Sequence, residues 1–125
     1  MPCVFCEIPH SSYLLENSMF FVIRDRNPVA RGHILVISKR HFESFFDISI
    51  QESIEYRDII LKAREYLDKH YAPLGYNIGI NCGSQAGQSV FHFHAHIIPR
   101  YAGDRKKGGV QKAVRGLREY LEELL

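Results

Sequence analysis

The chain predicts an α+β fold: an antiparallel sheet of about five strands with two main helices. Three observations carry that expectation. Short apolar or alternating segments recur with tight turns between them, which favours hairpin-joined strands over alternating βαβ units. One long segment, opened by Ser49-Ile50-Gln51-Glu52, has the helical rather than the strand period. A second helical pattern closes the chain. With 125 residues, the sequence is long enough for a single core and a single domain, 1–125.

Each element follows from local chemistry. Tyr13 to Leu15 and Met19 to Asp25 flank an Asn17-Ser18 turn signal and predict a short hairpin. Asp25 to Arg31, with Asn27-Pro28 inside it, predicts a loop. His33 to Ser38 is a continuous apolar run of buried-strand type. Ser49 and Glu52 have capping-box spacing, and Tyr56, Ile59, Ile60, Ala63 and Leu67 make the core face of the helix they open. Pro73 and Gly75 end that segment. Tyr76 to Cys82 alternates, placing Tyr76, Ile78, Ile80 and Cys82 inward on a strand. Asn81 to Ser89 is a tight glycine-rich connection with Gly83 and Gly87. Val110, Val114, Leu117, Leu121 and Leu124 share one face of a last helix over about 110–125.

The composition is that of an ordinary globular protein, 46% hydrophobic and 24% charged. A net charge of +2 is too mild to argue for nucleic acid. No apolar run is long enough for a membrane span, and the first residues lack the pattern of a secretory signal, so the expected location is cytoplasmic. Arg100, Arg105, Lys106 and Lys107 form either a solvated loop or an attractor for a phosphorylated small molecule. Cys3-x-x-Cys6 does not suggest a disulfide framework. It reads as half of a zinc site, with a redox pair as the rival that lacks a βαβ context.

The most informative segment is Phe91-His92-Phe93-His94-Ala95-His96-Ile97-Ile98. On a strand, His92, His94 and His96 share one face at roughly 6.6 Å spacing, and Phe91, Phe93, Ala95 and Ile97 take the other. A neutral imidazole near pH 7 can be nucleophile, proton carrier or metal ligand. The row alone allows direct metal ligation, a covalent nucleophile flanked by substrate-binding neighbours, or a merely polar strand face.

The longer run Gly87-Gln88-Ser89-Val90-Phe91-His92-Phe93-His94-Ala95-His96-Ile97-Ile98-Pro99-Arg100 resembles the signature of the histidine-triad (HIT) nucleotide-binding hydrolases. Gly32-His33, Asp25 before Asn27-Pro28, and Cys3-x-Phe5-Cys6-x-Ile8 support the resemblance, which covers residues 3 to about 104. The zinc-retaining, bacterial-type branch looks most similar. The resemblance implies a five-stranded HIT-like sheet extended across a homodimer. It implies that His94 attacks the α-phosphorus of a nucleotide to give a nucleotidyl-imidazole that water hydrolyses. His96 would contact the phosphate and orient the His94 ring through its own backbone carbonyl. Gln88, Ser89 and Asn81 would donate to phosphate oxygens or the leaving group, although turn chemistry alone also explains them.

Asp25 would bind the ribose hydroxyls or, as its simpler role, cap a turn. Val4, Phe5, Ile8 and Ile23 would form the apolar slot for a purine base, and His33 would stand beside the triad or be a buried structural histidine. Cys3, Cys6, His41 and His92 would make a closed Cys₂His₂ zinc site, structural rather than catalytic, while His10 and His70 are left exposed. Pro99-Arg100 resembles the dinucleoside polyphosphate hydrolases, so a diadenosine polyphosphate is the first expected substrate. An adenosine 5′-phosphoramidate at the same site is the second. A nucleotide-binding regulatory module with incidental turnover is the alternative from another class.

Overall fold

A computed structural model describes residues 3–104. Its strands are β1 (Leu15–Glu16), β2 (Phe20–Arg24), β3 (Ile34–Ser38), β4 (Gly75–Gly79) and β5 (His94–Arg100), with one helix, α1 (Ile50–Tyr71). Three short 3₁₀ turns lie at His10–Ser12, Phe45–Asp47 and Ser84–Ala86. All strand pairs are antiparallel, in the order β1-β2-β3-β5-β4. The expected five-stranded α+β architecture is present. The second expected helix, about 110–125, and Arg105, Lys106 and Lys107 lie outside the described residues. Among the described residues no helix is long and apolar enough to cross a membrane.

The sheet has two differently used faces, and strand alternation produces them. Phe20, Val22, Ile34, Val36, Phe93, Ala95 and Ile97 pack against Ile59, Ala63 and Leu67 of α1 in the main core. On the other face Phe21, Leu35 and Ile37 are covered by Phe5, Ile8, Tyr13 and Ile23. The N-terminal segment therefore lies on the histidine face, opposite the helix.

Helix α1 begins as its local chemistry requires. The Ser49 hydroxyl accepts from the Glu52 amide at 3.1 Å, and the Glu52 carboxylate accepts from the Ser49 amide at 3.0 Å. The buried Glu52 carboxylate also receives Arg40 Nη2 at 2.8 Å and Nε at 3.0 Å, which holds it below the ordinary carboxylate range. At the other end Ala72, not a glycine, takes the left-handed conformation (φ 48°), and Pro73 follows.

Two expectations about strand faces are corrected. Ile78 is 53% exposed rather than inward, because β4 is the sheet's edge and the helix, which holds Tyr76 through its hydrogen bond to Asp68, leaves Ile78 uncovered. Phe91 is 46% exposed rather than on the apolar face of the histidine strand, because β5 starts at His94 and residue 91 sits in the bend before it.

Candidate active site and metal cluster

The β3–β5 register builds the site. Leu35 stands opposite His96 and Ile37 opposite His94, so the histidines rise from the middle of the sheet. His33 occupies the position before β3, and its carbonyl accepts from the Asp25 amide at 3.1 Å, which brings Asp25 to the same end. Gly32 makes the turn into β3 against Tyr71 and Pro99. It has φ +88°, and a Cβ there would lie 3.1 Å from the Tyr71 ring and 3.2 Å from Pro99.

A cleft of ≈ 910 Å³ opens on this face, lined by His94 and His96, by Asp25, Asn81 and Ser89, and by Val4, Phe5, Ile8, Ile23 and Leu35. The expected site residues are thus largely gathered on one surface. Tyr13, Arg24, Arg26 and Asn27 line it too and were not singled out from the sequence. Leu35 was legible in principle, since it shares the strand parity of His33.

His94 is almost fully buried, and its Nδ1 lies 2.9 Å from the carbonyl oxygen of His92. A carbonyl only accepts, so Nδ1 carries the proton and Nε2 holds the lone pair. The orienting carbonyl is therefore that of His92, not of His96 as expected: at the entry to β5 the ring folds back over the carbonyl two residues earlier. The rings of His94 and His96 are 5.3 Å apart between centroids, tilted at 66°.

The state of His96 follows from a chain of hydrogen bonds. The Val29 amide donates to His33 Nδ1 at 3.1 Å, so neutral His33 carries its proton on Nε2. That proton is directed at His96 Nδ1 (3.0 Å) and Asp25 Oδ2 (3.2 Å). His96 Nδ1 therefore accepts, and its own proton is on Nε2. Burial, reinforced by the neighbouring His94 and His33 and opposed by Asp25, lowers the His96 pKa to about 4. Burial likewise lowers that of His33. Near pH 7 both rings are neutral, and His96 presents a donor.

Asp25, His33 and His96 lie close enough together for a metal ion, but the donor chemistry opposes one. Coordination through His33 Nε2 would put the ring proton on Nδ1, facing the Val29 amide donor at 3.1 Å. This cluster is a hydrogen-bond relay. Asp25 also caps its turn, with Oδ1 accepting from the Asn27 amide at 2.8 Å. The structural role considered for it is present alongside its place in the cleft.

Gln88 stands apart from its expected role. It is buried, its Oε1 accepts from the Gly83 amide (2.8 Å), and its Nε2 donates to the carbonyls of Glu43 (2.9 Å) and Val90 (3.1 Å). Its amide shapes the glycine-rich loop rather than lining the cleft. Arg100 reaches Asn77 Oδ1 through Nε at 2.7 Å and is not among the cleft residues.

The second cluster is Cys3, Cys6, His41 and His92. His92 Nδ1 lies 3.3 Å from Cys3 Sγ, 3.5 Å from Cys6 Sγ and 3.1 Å from His41 Nδ1, and Cys6 Sγ is 3.4 Å from His41 Nδ1. Donors on a tetrahedral zinc, with bonds of about 2.0–2.3 Å, stand roughly 3.3–3.8 Å apart. His92 Nε2 donates to the Ser38 carbonyl at 2.7 Å, which leaves Nδ1 with the lone pair a metal needs. Burial lowers the His92 pKa, so the ring is neutral as a ligand must be. The residues fit zinc in type, spacing and tautomer.

Residues 7–103 match the HIT domain family. An uncharacterized HIT-like protein of Methanocaldococcus jannaschii is 40% identical over 129 residues, covering 98% of both chains. A Zn-bound histidine triad family protein from Mycobacterium smegmatis superposes with a TM-score of 0.73 at 31% identity, covering 98% of this chain and 94% of that one. The AP-4-A phosphorylase of Mycobacterium tuberculosis is 30% identical over 106 residues, 80% of this chain and 54% of that protein. With its triad, its cleft and its cysteine–histidine cluster in these positions, this chain belongs to the HIT domain family.

Proposed function

We propose that this protein hydrolyses adenosine 5′-phosphate derivatives at the α-phosphate through a nucleotidyl-His94 intermediate. The observation that carries the proposal is the His94 ring, with Nδ1 held by the His92 carbonyl and lone-pair Nε2 in a ligand-sized cleft. In the first step Nε2 attacks the α-phosphorus. The bond to the leaving group breaks as its electron pair departs, and neutral His96 donates a hydrogen bond from Nε2 to the leaving atom while keeping its proton. In the second step water attacks the same phosphorus and releases a proton to solvent, the phosphorus–nitrogen bond breaks with its electron pair returning to Nε2, and AMP leaves with neutral His94 restored. Ser89 and Asn81 supply donors to the phosphate oxygens, and the positive ends of such dipoles stabilise charge that develops in transfer.

Asp25 accepts from the ribose hydroxyls through lone pairs its turn leaves over, and Val4, Phe5, Ile8 and Ile23 hold the purine. Gln88 acts by fixing the loop that carries Ser89. Zinc held by Cys3, Cys6, His41 and His92 supplies a tie between the N-terminus and the sheet. A reducing cytoplasm would keep both thiols available to it. The protein works as a homodimer.

Diadenosine polyphosphates are the preferred substrates on this reading, which the name of the mycobacterial AP-4-A phosphorylase supports. Phosphoramidates use the same attack with an amine leaving group. Incubation with labelled diadenosine tetraphosphate, followed by acid quench, should trap AMP on the wild type and none on His94→Ala. Turnover by that variant should fall by about 10³-fold or more. Rates on diadenosine tetraphosphate, diadenosine triphosphate, AMP-lysine and GMP analogues would then rank the substrates. AMP binding with neither trapped species nor turnover on any of them would leave only a nucleotide-binding module.

A further inference from the structure

His92 belongs to two constructions at once. Its ring joins the cysteine–histidine cluster through Nδ1, and its backbone carbonyl is the acceptor that orients His94 at 2.9 Å. The ring is wholly buried, and Nε2 is fastened to the Ser38 carbonyl at 2.7 Å, so movement of the ring is coupled to the backbone beneath it. A second route runs through the loop between the two cysteines. Phe5, inside that loop, meets the His94 ring edge-on with centroids 5.0 Å apart and the His92 ring at 5.9 Å. Val4 and Phe5 are also part of the cleft wall. Both routes converge on one imidazole.

We propose that the Cys3–Cys6–His41–His92 cluster is a positioning device for His94, so that the nucleophile's orientation depends on metal occupancy. This rests on the reading of the cluster as a zinc site and of His94 as the nucleophile. The physical reason is the geometry of attack. Transfer to phosphorus depends on the lone pair meeting the reacting atom in line, and misplacement by about 1 Å can cost about 10²-fold. Without the ion, the Cys3–Cys6 loop keeps the apolar packing of Phe5 on the sheet and its edge contact with His92, but no coordinate bond fixes it to the His92 ring. The His92 carbonyl and the Phe5 edge then cease to define a single ring orientation. Ground-state affinity for a nucleotide draws on the whole cleft and suffers less. Metal loss thus acts on the rate of transfer beyond its effect on stability.

The test uses full-length protein, zinc-loaded and chelator-stripped, at a temperature where far-UV circular dichroism shows both folded. Elemental analysis gives zinc per chain, and ¹⁵N spectra of labelled histidine report the His94 tautomer. Single-turnover AMP transfer from diadenosine tetraphosphate and the Kd for AMP complete the set. Loaded protein should show one His94 tautomer with the proton on Nδ1. Stripping should average that signal and slow transfer by about tenfold to a hundredfold, with a change in AMP Kd below about threefold. If stripped protein unfolds, His41→Asn removes one of the two exposed ligands and leaves buried His92 in place, so free zinc can set occupancy on a folded chain. Transfer rate and His94 signals should then rise together with occupancy. Zinc that binds while both stay constant overturns the proposal and leaves the zinc site standing. Protein with intact cysteines that takes up no zinc overturns the zinc reading itself. Failure to trap AMP on fully loaded wild type overturns the assignment of His94.

Discussion

A single backbone amide, that of Val29, decides which nitrogen of His96 carries the proton. It donates to His33 Nδ1, His33 Nε2 then donates to His96 Nδ1, and the His96 proton is left on Nε2. Replacing His33 by Ala removes the donor and leaves Asp25 Oδ2, 3.8 Å from His96 Nδ1, as the nearby charged partner. The tautomer with the proton on Nδ1 then gains, and His96 can no longer donate into the cleft. His33→Ala should lower kcat by about 10²-fold on AMP-lysine, whose poor amine leaving group takes its proton from solvent and needs the His96 hydrogen bond to depart, with little change in KM. On the p-nitrophenyl ester of AMP, whose leaving group needs no proton, the loss should be small. Equal losses on the two substrates would mean that His33 only supports the fold. The histidine row and the Cys3–Cys6 pair were legible from sequence because their information is local: residue type at spacings of two and three. The His33–His96 bond, across 63 positions, depends on the β3–β5 register. The engagement of Gln88 with Glu43 depends on a loop path that no local pattern encodes.

Among the elements, α1 was the most legible, because its cap is written in the four residues Ser49 to Glu52 and its core face in their helical spacing. Edge strand β4 was misread for a complementary reason. Alternation shows that Ile78 shares a face with Tyr76, but not how far along that face the helix reaches, and here α1 holds Tyr76 through Asp68 and leaves Ile78 exposed. The consequence is a strand whose outer hydrogen-bonding side has no partner strand among the described residues and which carries a large aliphatic side chain 53% exposed. Such edges invite pairing with another strand, and a second copy of β4 would satisfy the backbone groups and cover Ile78. Light scattering on the wild type should therefore give twice the chain mass of 14.5 kDa. Ile78→Lys, which places a charge on the covered face, should shift the equilibrium toward the single chain without lowering helix content. A wild type that runs as a single chain at all concentrations would contradict a dimer of any kind. A dimer indifferent to Ile78→Lys would move the interface away from β4.

For the whole molecule, buried neutral histidines tie folding to pH. His33, His92 and His96 all have pKa values lowered chiefly by burial, and that of His96 falls from 6.5 to about 4. Above pH 6.5 the His96 ring is neutral in both folded and unfolded chains and does not make stability pH-dependent. Between about 6.5 and 4 the unfolded chain takes up a proton that the folded chain refuses, so stability falls with falling pH. Below about 4 both states are protonated and the slope from this residue vanishes. The groups facing the ring account for the direction: burial dominates, a positive charge on His94 or His33 would repel, and Asp25 only partly compensates. The loss from His96 is on the order of 2–3 kcal/mol across that window, the lower figure allowing for its partial exposure. Acid also protonates ligands of the metal cluster, so the wild type alone cannot isolate this contribution. His96→Asn keeps a polar side chain but cannot titrate, and its cluster responds to acid as the wild type's does. The difference in unfolding free energy between wild type and His96→Asn, measured by denaturant titration, should shrink by that amount from pH 7 to pH 4. A difference that stays constant across the window would show that His96 titrates alike in the folded and unfolded chains, and that burial does not hold its pKa down.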